Sequence, residues 1–222
     1  TLIGILTILF TYLLAKELFD RRVALVSAFL LAVLPWHLNF SRFGMNGILT
    51  PFFAVLSMYL LARALRTRQW LDYVLAGLAV GLGMHGYLAF RVFPVVIVFY
   101  LAARLVTERR PFLKAQWRGI LLGVLAALIA FAPLGWYGYK NPVAFGMRME
   151  SASVFTGKSQ AEAIKAIQET ASKHLLMFNY RGDGNGRHNL PGRPMLDDVT
   201  GVLFVLGIAL SLWRWRRPGH PT

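Results

Sequence analysis

The sequence predicts an all-α fold: a polytopic bundle of about seven membrane-spanning helices, with one extracytoplasmic amphipathic helix and an irregular loop. Three observations carry that prediction. The 222-residue chain is 56% hydrophobic and only 15% charged, where a soluble domain is about 45–50% apolar and about 25% charged. Its apolar residues come in unbroken runs, such as Gly119 to Pro133, with no polar face left for water. The links between runs alternate between basic and nearly uncharged, as the positive-inside rule requires.

Seven runs are legible, at roughly 1–15, 23–40, 47–65, 71–90, 92–106, 118–137 and 199–213. About 20 residues cross a hydrocarbon core about 30 Å thick. Leu71 to Val106 is too long for one ordinary span, so Arg91 and Pro94, preceded by Gly77, Gly81, Gly83 and Gly86, mark a tight reversal within it. One set of links holds Lys16, Arg21 and Arg22; Arg63, Arg66 and Arg68; Arg104, Arg109, Arg110, Lys114 and Arg118; and Arg214, Arg216 and Arg217. The opposite short links hold only Arg42 and Arg91. The first set is therefore expected to be cytoplasmic and the second external. Trp36, Trp70, Trp117, Trp136 and Trp213 fall at run ends, where amphipathic rings anchor at the membrane interface.

The expected organisation is helices 1–6 over 1–137, an extracytoplasmic link over 138–198, and a last span with a basic cytoplasmic tail over 199–222. Within the link a helix is predicted at about 158–178. It opens with Ser159 and Glu162 at capping-box spacing and carries Ile164, Ile167, Ala171 and Leu175 along one stripe. Such a helix suits a bilayer surface or a cavity cover. Asn179 to Pro194, rich in Gly, Pro, Asn and Arg, reads as neither helix nor strand. The chain opens at Thr1 inside an apolar run, without a basic leader. It therefore reads as a fragment whose start lies upstream.

Several function classes are disfavoured. With no cysteine there is no disulfide framework or cysteine nucleophile. The net charge of +14 sits mostly in membrane links, which argues against a nucleic-acid partner. No acidic residue lies mid-span, which disfavours an ion-coupled transporter. Neither a zincin pattern nor a phosphate-loop context is present, and no metal or cofactor is expected.

The chemistry-bearing residues sit at the external breaks. Trp36 to Asn46 offers His37, Asn39, Ser41, Arg42 and Asn46; Met84 to Arg91 offers His85, Tyr87 and Arg91. If that second break is helical, Tyr87 and Arg91 share a face. An arginine at mid-bilayer costs about 2.5–3.5 kcal/mol on insertion scales, and two guanidiniums with Tyr and His donors suit a lipid phosphate. The competing reading is that the arginines snorkel to headgroups. In the loop, Asp183, Arg187, His188, Arg193, Asp197 and Asp198 form an acid-base cluster. A carboxylate there would act as general base or orient a sugar hydroxyl, or the acids and bases would simply pair.

These features resemble the GT-C superfamily of polyprenyl-phosphate-sugar glycosyltransferases, in its protein O-mannosyltransferase and aminoarabinose-transferase branch. The stretches that carry the resemblance are Leu18 to Ala24, Leu34 to His37 with Ser41 and Arg42, Gly83 to Tyr87 with Arg91 and Pro94, and Arg187 to Pro194 with Thr200 to Phe204. The resemblance implies an inverting, single-displacement sugar transfer on the extracytoplasmic face of a bacterial plasma membrane. A polyprenyl-phosphate-linked sugar would be the donor, and a protein, lipid or glycan the acceptor. By resemblance Arg42 and Arg91, with Tyr87 and His85 beside them, bind the donor phosphate. His37, Asn46, Asp183, Arg187, His188 and Arg193 are candidates for the acceptor side. The family's general base is an aspartate in the loop after its first helix, expected upstream of Thr1, so the fragment alone is expected to be inactive. The family also often has an acidic residue shortly after the arginine of the next external loop; here that region reads Gly44, Met45 and Asn46, and an amide accepts no proton as a carboxylate does. The alternative is a membrane carrier or flippase of a lipid-linked sugar, using the same arginines without chemistry.

Overall fold

The structure, a computed structural model, describes residues 1–152, 157 and 159–215. Among these every regular element is helical: α1 (Leu2–Leu18), α2 (Arg21–Val33), α3 (Pro35–Arg42), α4 (Leu49–Thr67), α5 (Trp70–Gly83), α6 (Phe93–Lys140), α7 (Pro142–Ala152), α8 (Gln160–Leu176) and α9 (Asp198–Trp215). Two stretches, Asn46–Thr67 and Leu88–Lys140, are long and apolar enough to cross a membrane; counting the bent pair α2–α3 as one span makes three. Helices α5 and α9 are shorter apolar helices. The predicted all-helical membrane class holds, while the helices themselves establish fewer crossings than the seven expected. The expected basic tail beyond residue 215 lies outside the described residues.

Prolines and left-handed residues set the breaks. The expected run 23–40 is two helices, bent by 60° at the Leu34–Pro35 junction, because Pro35 lacks an N–H and pushes Leu34 out of helical geometry. Helix α4 ends where Arg68 turns left-handed (φ 58°, ψ 20°) and its N–H reaches Ala64 O at 2.8 Å. Helix α6 is interrupted at Arg109, whose φ of 59° and ψ of −144° are non-helical, immediately before Arg110 and Pro111. A straight helix would set Ile97 and Leu128 roughly 46 Å apart, yet both line one cavity of about 380 Å³. The chain therefore folds back at Arg109, and α6 is a hairpin of two arms. The split expected between runs 92–106 and 118–137 is that reversal.

The chain forms two compact units, residues 1–32 with 40–156, and residues 33–39 with 157–222. In the first, α1 packs on α4, α4 on α5, and α5 on α6. The α5–α6 contact is made by small residues at four-residue spacing, Gly77 and Gly81 against Gly123 and Ala127, while Gly119 leaves room for the Tyr73 ring. A Cβ on Gly77 would lie 1.9 Å from Gly123 O, and one on Gly81 2.4 Å from Ala127 O. Small residues let backbones touch inside a bilayer, where helix association relies on close packing. The glycine cluster read as a reversal signal thus has a second role; the turn itself uses Gly83 and Gly86, with His85 N–H bonded to Leu82 O and Gly86 N–H to Gly83 O.

At the basic end, polar side chains tie the helices together. Arg66 of α4 forms a bidentate pair with Glu17 of α1. Buried Asp72 accepts from Thr67 Oγ1 at 3.0 Å and pairs with Arg63 at 3.2 Å. Tyr73 donates its hydroxyl to Gln116 Oε1, and Gln116 Nε2 donates to Leu65 O at 2.9 Å, all beside the core of Leu61, Ala64, Leu65 and Phe112. Replacing Gln116 with Leu leaves the Tyr73 hydroxyl and the Leu65 carbonyl without their partner. Each lost partner costs about 1–3 kcal/mol, so Gln116→Leu is expected to lower the unfolding midpoint in detergent. Tyr73→Phe with Gln116→Leu should recover part of that loss.

The second unit contains α8, the loop after it, and α9. Ser159 caps α8 and Glu162 reaches back to the Ser159 N–H, completing the predicted capping box. Ile164, Ile167 and Leu175 are exposed along the predicted stripe, while Ala163 is buried. Helix α7 was not foreseen. Its signal was Asn141 followed by Pro142, a capping residue before a proline at the first helical position.

Candidate functional site

The first break, which carries Arg42, is built by α3 and a turn. Arg42 is the last residue of α3 and is exposed. Gly44 takes a left-handed φ of 62°, which a residue with a Cβ would resist. The chain then enters a short 3-10 turn at Asn46–Ile48. Ser41, Gly44 and Asn46 line a small pocket of about 130 Å³ with Gly4 of α1.

The second break is a 3-10 turn over Leu88–Val92, with Tyr87 extended before it (φ −118°, ψ 142°). Tyr87 and Arg91 therefore do not share the α-helical face that a continuous helix would give them. A 3-10 turn has three residues per turn, and Phe90 uses it to bury itself completely against Phe53 and Phe93. Gly83 leaves room for that ring, since a Cβ there would meet Phe90 at 2.4 Å. Tyr87 is 48% exposed. The His85 ring is exposed, and its Nε2 lies 2.8 Å from Ala130 O. A carbonyl accepts, so this nitrogen carries the proton and ties the turn to α6.

Arg91 is the most constrained of these groups. It is half-buried, and its guanidinium carbon stands 4.6 Å from the centre of the Phe145 ring. Phe145 comes from α7 and sits against Gly138, where a Cβ would meet the ring at 3.1 Å. The Arg91 Nε–H is buried and has no hydrogen-bond acceptor among the described residues. An unmade hydrogen bond of that kind costs about 1–3 kcal/mol, and more for a charged group. The arrangement grips a cation by its aromatic face and leaves its donors to an anion. Phe145 is the residue sequence reasoning missed, because α7 itself was missed. No hydrogen bond, ion pair or ring contact among the described residues joins Arg42 to Arg91.

The remaining candidates lie in the second unit. His188 Nδ1 donates to Asp183 Oδ2 at 2.5 Å, and the ring stands 5.7 Å from that of Trp36. Asn39 Nδ2 donates to His188 O at 3.1 Å. The loop is closed by Gly192 N–H to Asp183 O at 2.9 Å and by Leu196 N–H to Phe178 O at 3.0 Å. Gly182 is required where it stands, because a Cβ would lie 2.0 Å from Arg193 O. His37 is buried, whereas Arg187 and Arg193 are exposed. Asp197 is spent as the cap of α9, accepting from the Val199 and Thr200 N–H groups.

Asp183 is held below the ordinary aspartate range, first by the hydrogen bond from His188 and then by the Asn185 N–H. A carboxylate whose pKa is depressed by folding stabilises the fold above its unfolded pKa of about 3.9. That contribution is lost as pH falls through the lower, folded value. The protection of the Gly182 and Gly192 amides, taken relative to their intrinsic exchange rates, is therefore expected to hold from neutral pH to about 4 and to fall below it. Asp183→Asn should flatten that acid limb.

Residues 1–137 match the family described as dolichyl-phosphate-mannose-protein mannosyltransferase. The chain belongs to that mannosyltransferase family. A relative named "Putative mannosyltransferase YkcB", from Bacillus subtilis (strain 168), is 27% identical over 73% of this chain and 21% of its own length. Another, "Dolichyl-phosphooligosaccharide-protein glycotransferase 3" from Archaeoglobus fulgidus, is 35% identical over 45% of this chain and 13% of its own length. The matched part is thus about a fifth of one relative and about an eighth of the other. No solved structure matches. The family match spans both breaks, with Arg42 and Arg91, and ends before α7, α8 and the loop that carries Asp183 and His188. A membrane-embedded, glycosyltransferase-type chain is the reading that sequence, fold and relatives share.

Proposed function

We propose that this chain is the donor-binding part of an inverting membrane glycosyltransferase that moves a sugar from a polyprenyl phosphate to an acceptor on the extracytoplasmic face. The observation that carries the proposal is Arg91, whose buried Nε–H has no acceptor among the described residues and whose guanidinium is set against Phe145. A lipid phosphate at the membrane boundary supplies the acceptor that the described residues do not. Once the sugar is attacked, negative charge grows on the departing phosphate, and a preorganised guanidinium stabilises it more than it stabilises the bound donor. Arg42 is the second cation in this reading, with Tyr87 supplying a hydroxyl and His85 holding the turn. The acceptor candidates are Asn46 in the first unit and His37, Asp183, Arg187, His188 and Arg193 in the second. We assign no general base to these residues.

In this reading α1, the pair α2–α3, α4, α5, both arms of α6, and α9 give seven crossings. The Arg66 end is cytoplasmic and the Gly184 loop external, as the charge distribution supports. Cysteines placed at Arg66 and Gly184 in the intact membrane protein test the sidedness. An impermeant thiol reagent on whole cells should label Gly184→Cys and spare Arg66→Cys. The reverse pattern would put Arg91 on the wrong face for an extracytoplasmic donor.

A further inference from the structure

The cavity of about 380 Å³ inside the first unit plays no part in the function proposed above. It lies between α4, α5 and the two arms of α6, faced by Leu61, Val80, Ile97, Leu101, Val124 and Leu128. Its two side-chain hydroxyls are already committed. Ser57 donates to Phe53 O at 2.6 Å and Tyr73 donates to Gln116. A sugar or nucleotide would find no free side-chain hydroxyl there, and burying its polar groups unpaired is costly. Hydrocarbon suffers no such cost. The volume lies within the range of about 300–1,000 Å³ typical of small-molecule sites.

Its length points to one kind of hydrocarbon. Along α5 the lining runs from Tyr73 to Met84, and along the second arm of α6 from Ile120 to Phe131. At 1.5 Å per residue each path is about 16 Å. One leaflet of a hydrocarbon core about 30 Å thick is about 15 Å. At one end of the lining stands the bonded Tyr73–Gln116 pair, and at the other stand Met84 and Pro94, which flank in sequence the turn that carries His85 and Arg91. We propose that this cavity binds one acyl chain of a bilayer phospholipid, its headgroup beyond the Met84–Pro94 end, as a resident lipid distinct from the sugar donor. A polyprenyl chain is several times longer than the slot.

Native mass spectrometry of the protein extracted in mild detergent tests this directly. About one phospholipid per chain should survive extraction from the wild type. Ile97→Trp and Val80→Phe, which fill the slot from different helices, should each reduce its retention about tenfold. On delipidated wild type, which needs no variant to fold, added phospholipid should rebind when its chains match the leaflet length and not when they are half as long. No retained lipid, retention of polyprenyl phosphate alone, or chain-length-independent rebinding would overturn the proposal. Equal retention by two folded, filled variants would do the same. None of these readouts involves sugar transfer, so they stand apart from the proposed activity.

Discussion

Gly77→Val is expected to be the most disruptive single substitution in the bundle. The new Cβ would lie 1.9 Å from the Gly123 carbonyl oxygen, and the obstacle is backbone, which no rotamer change can clear. The helices must separate, and they lose the close approach shared by Gly77, Gly81, Gly123 and Ala127 along the whole contact. Overpacking a core costs about 1–3 kcal/mol and occasionally more; with helix backbone as the obstacle, the loss should reach at least the upper end of that range. Gly207→Ala in α9 is the matched control, since nothing lies within 4 Å of its Cβ. Thermal unfolding in detergent should show a large drop for the first and little change for the second. Equal midpoints would mean that α5 and α6 do not touch through these glycines.

Arg91 carries the largest expected effect on activity. Removing one preorganised donor from a developing oxyanion costs about 10²–10³ in rate, so Arg91→Met should lower sugar transfer by that order in the intact membrane protein. Arg91→Lys should restore only part of it, because an ammonium presents a point charge where the guanidinium presents a planar fork. Phe145→Leu should weaken the site more mildly, by about 0.5–2 kcal/mol, the range of a cation-π contact. The order Met, Lys, Leu from worst to best separates a phosphate-holding role from a packing role. If Arg91 were merely structural, the lysine variant would restore turnover together with thermal stability.

The sequence was most informative where physics acts locally. Apolar runs and the alternating charge of their links gave the helical class, and Ser159 with Glu162 gave the start of α8. The basic link around Arg109 marked the reversal of α6, although nothing in the composition shows that one residue with a left-handed φ makes the turn. Tertiary packing decided the remainder. Pro35 broke a run that hydropathy alone makes continuous. Phe90 drew its segment into a 3-10 turn by burying in the core, which separated Tyr87 from the face of Arg91. Gly77 and Gly81 read equally well as breakers or as packing surface, and only the facing residues Gly123 and Ala127 distinguish the two. Phe145 was hidden because Val143 to Met149 carries no clean helical period, while the Asn141–Pro142 start signal is short.

The account turns on whether the guanidinium of Arg91 binds the phosphate of a lipid carrier. The direct measurement is equilibrium binding of a polyprenyl phosphate, without sugar, to the intact protein in lipid nanodiscs. Wild type should bind it, and Arg91→Gln, still folded, should bind at least about tenfold more weakly, a loss of about 1.4 kcal/mol. Equal affinity in the two proteins would contradict the account.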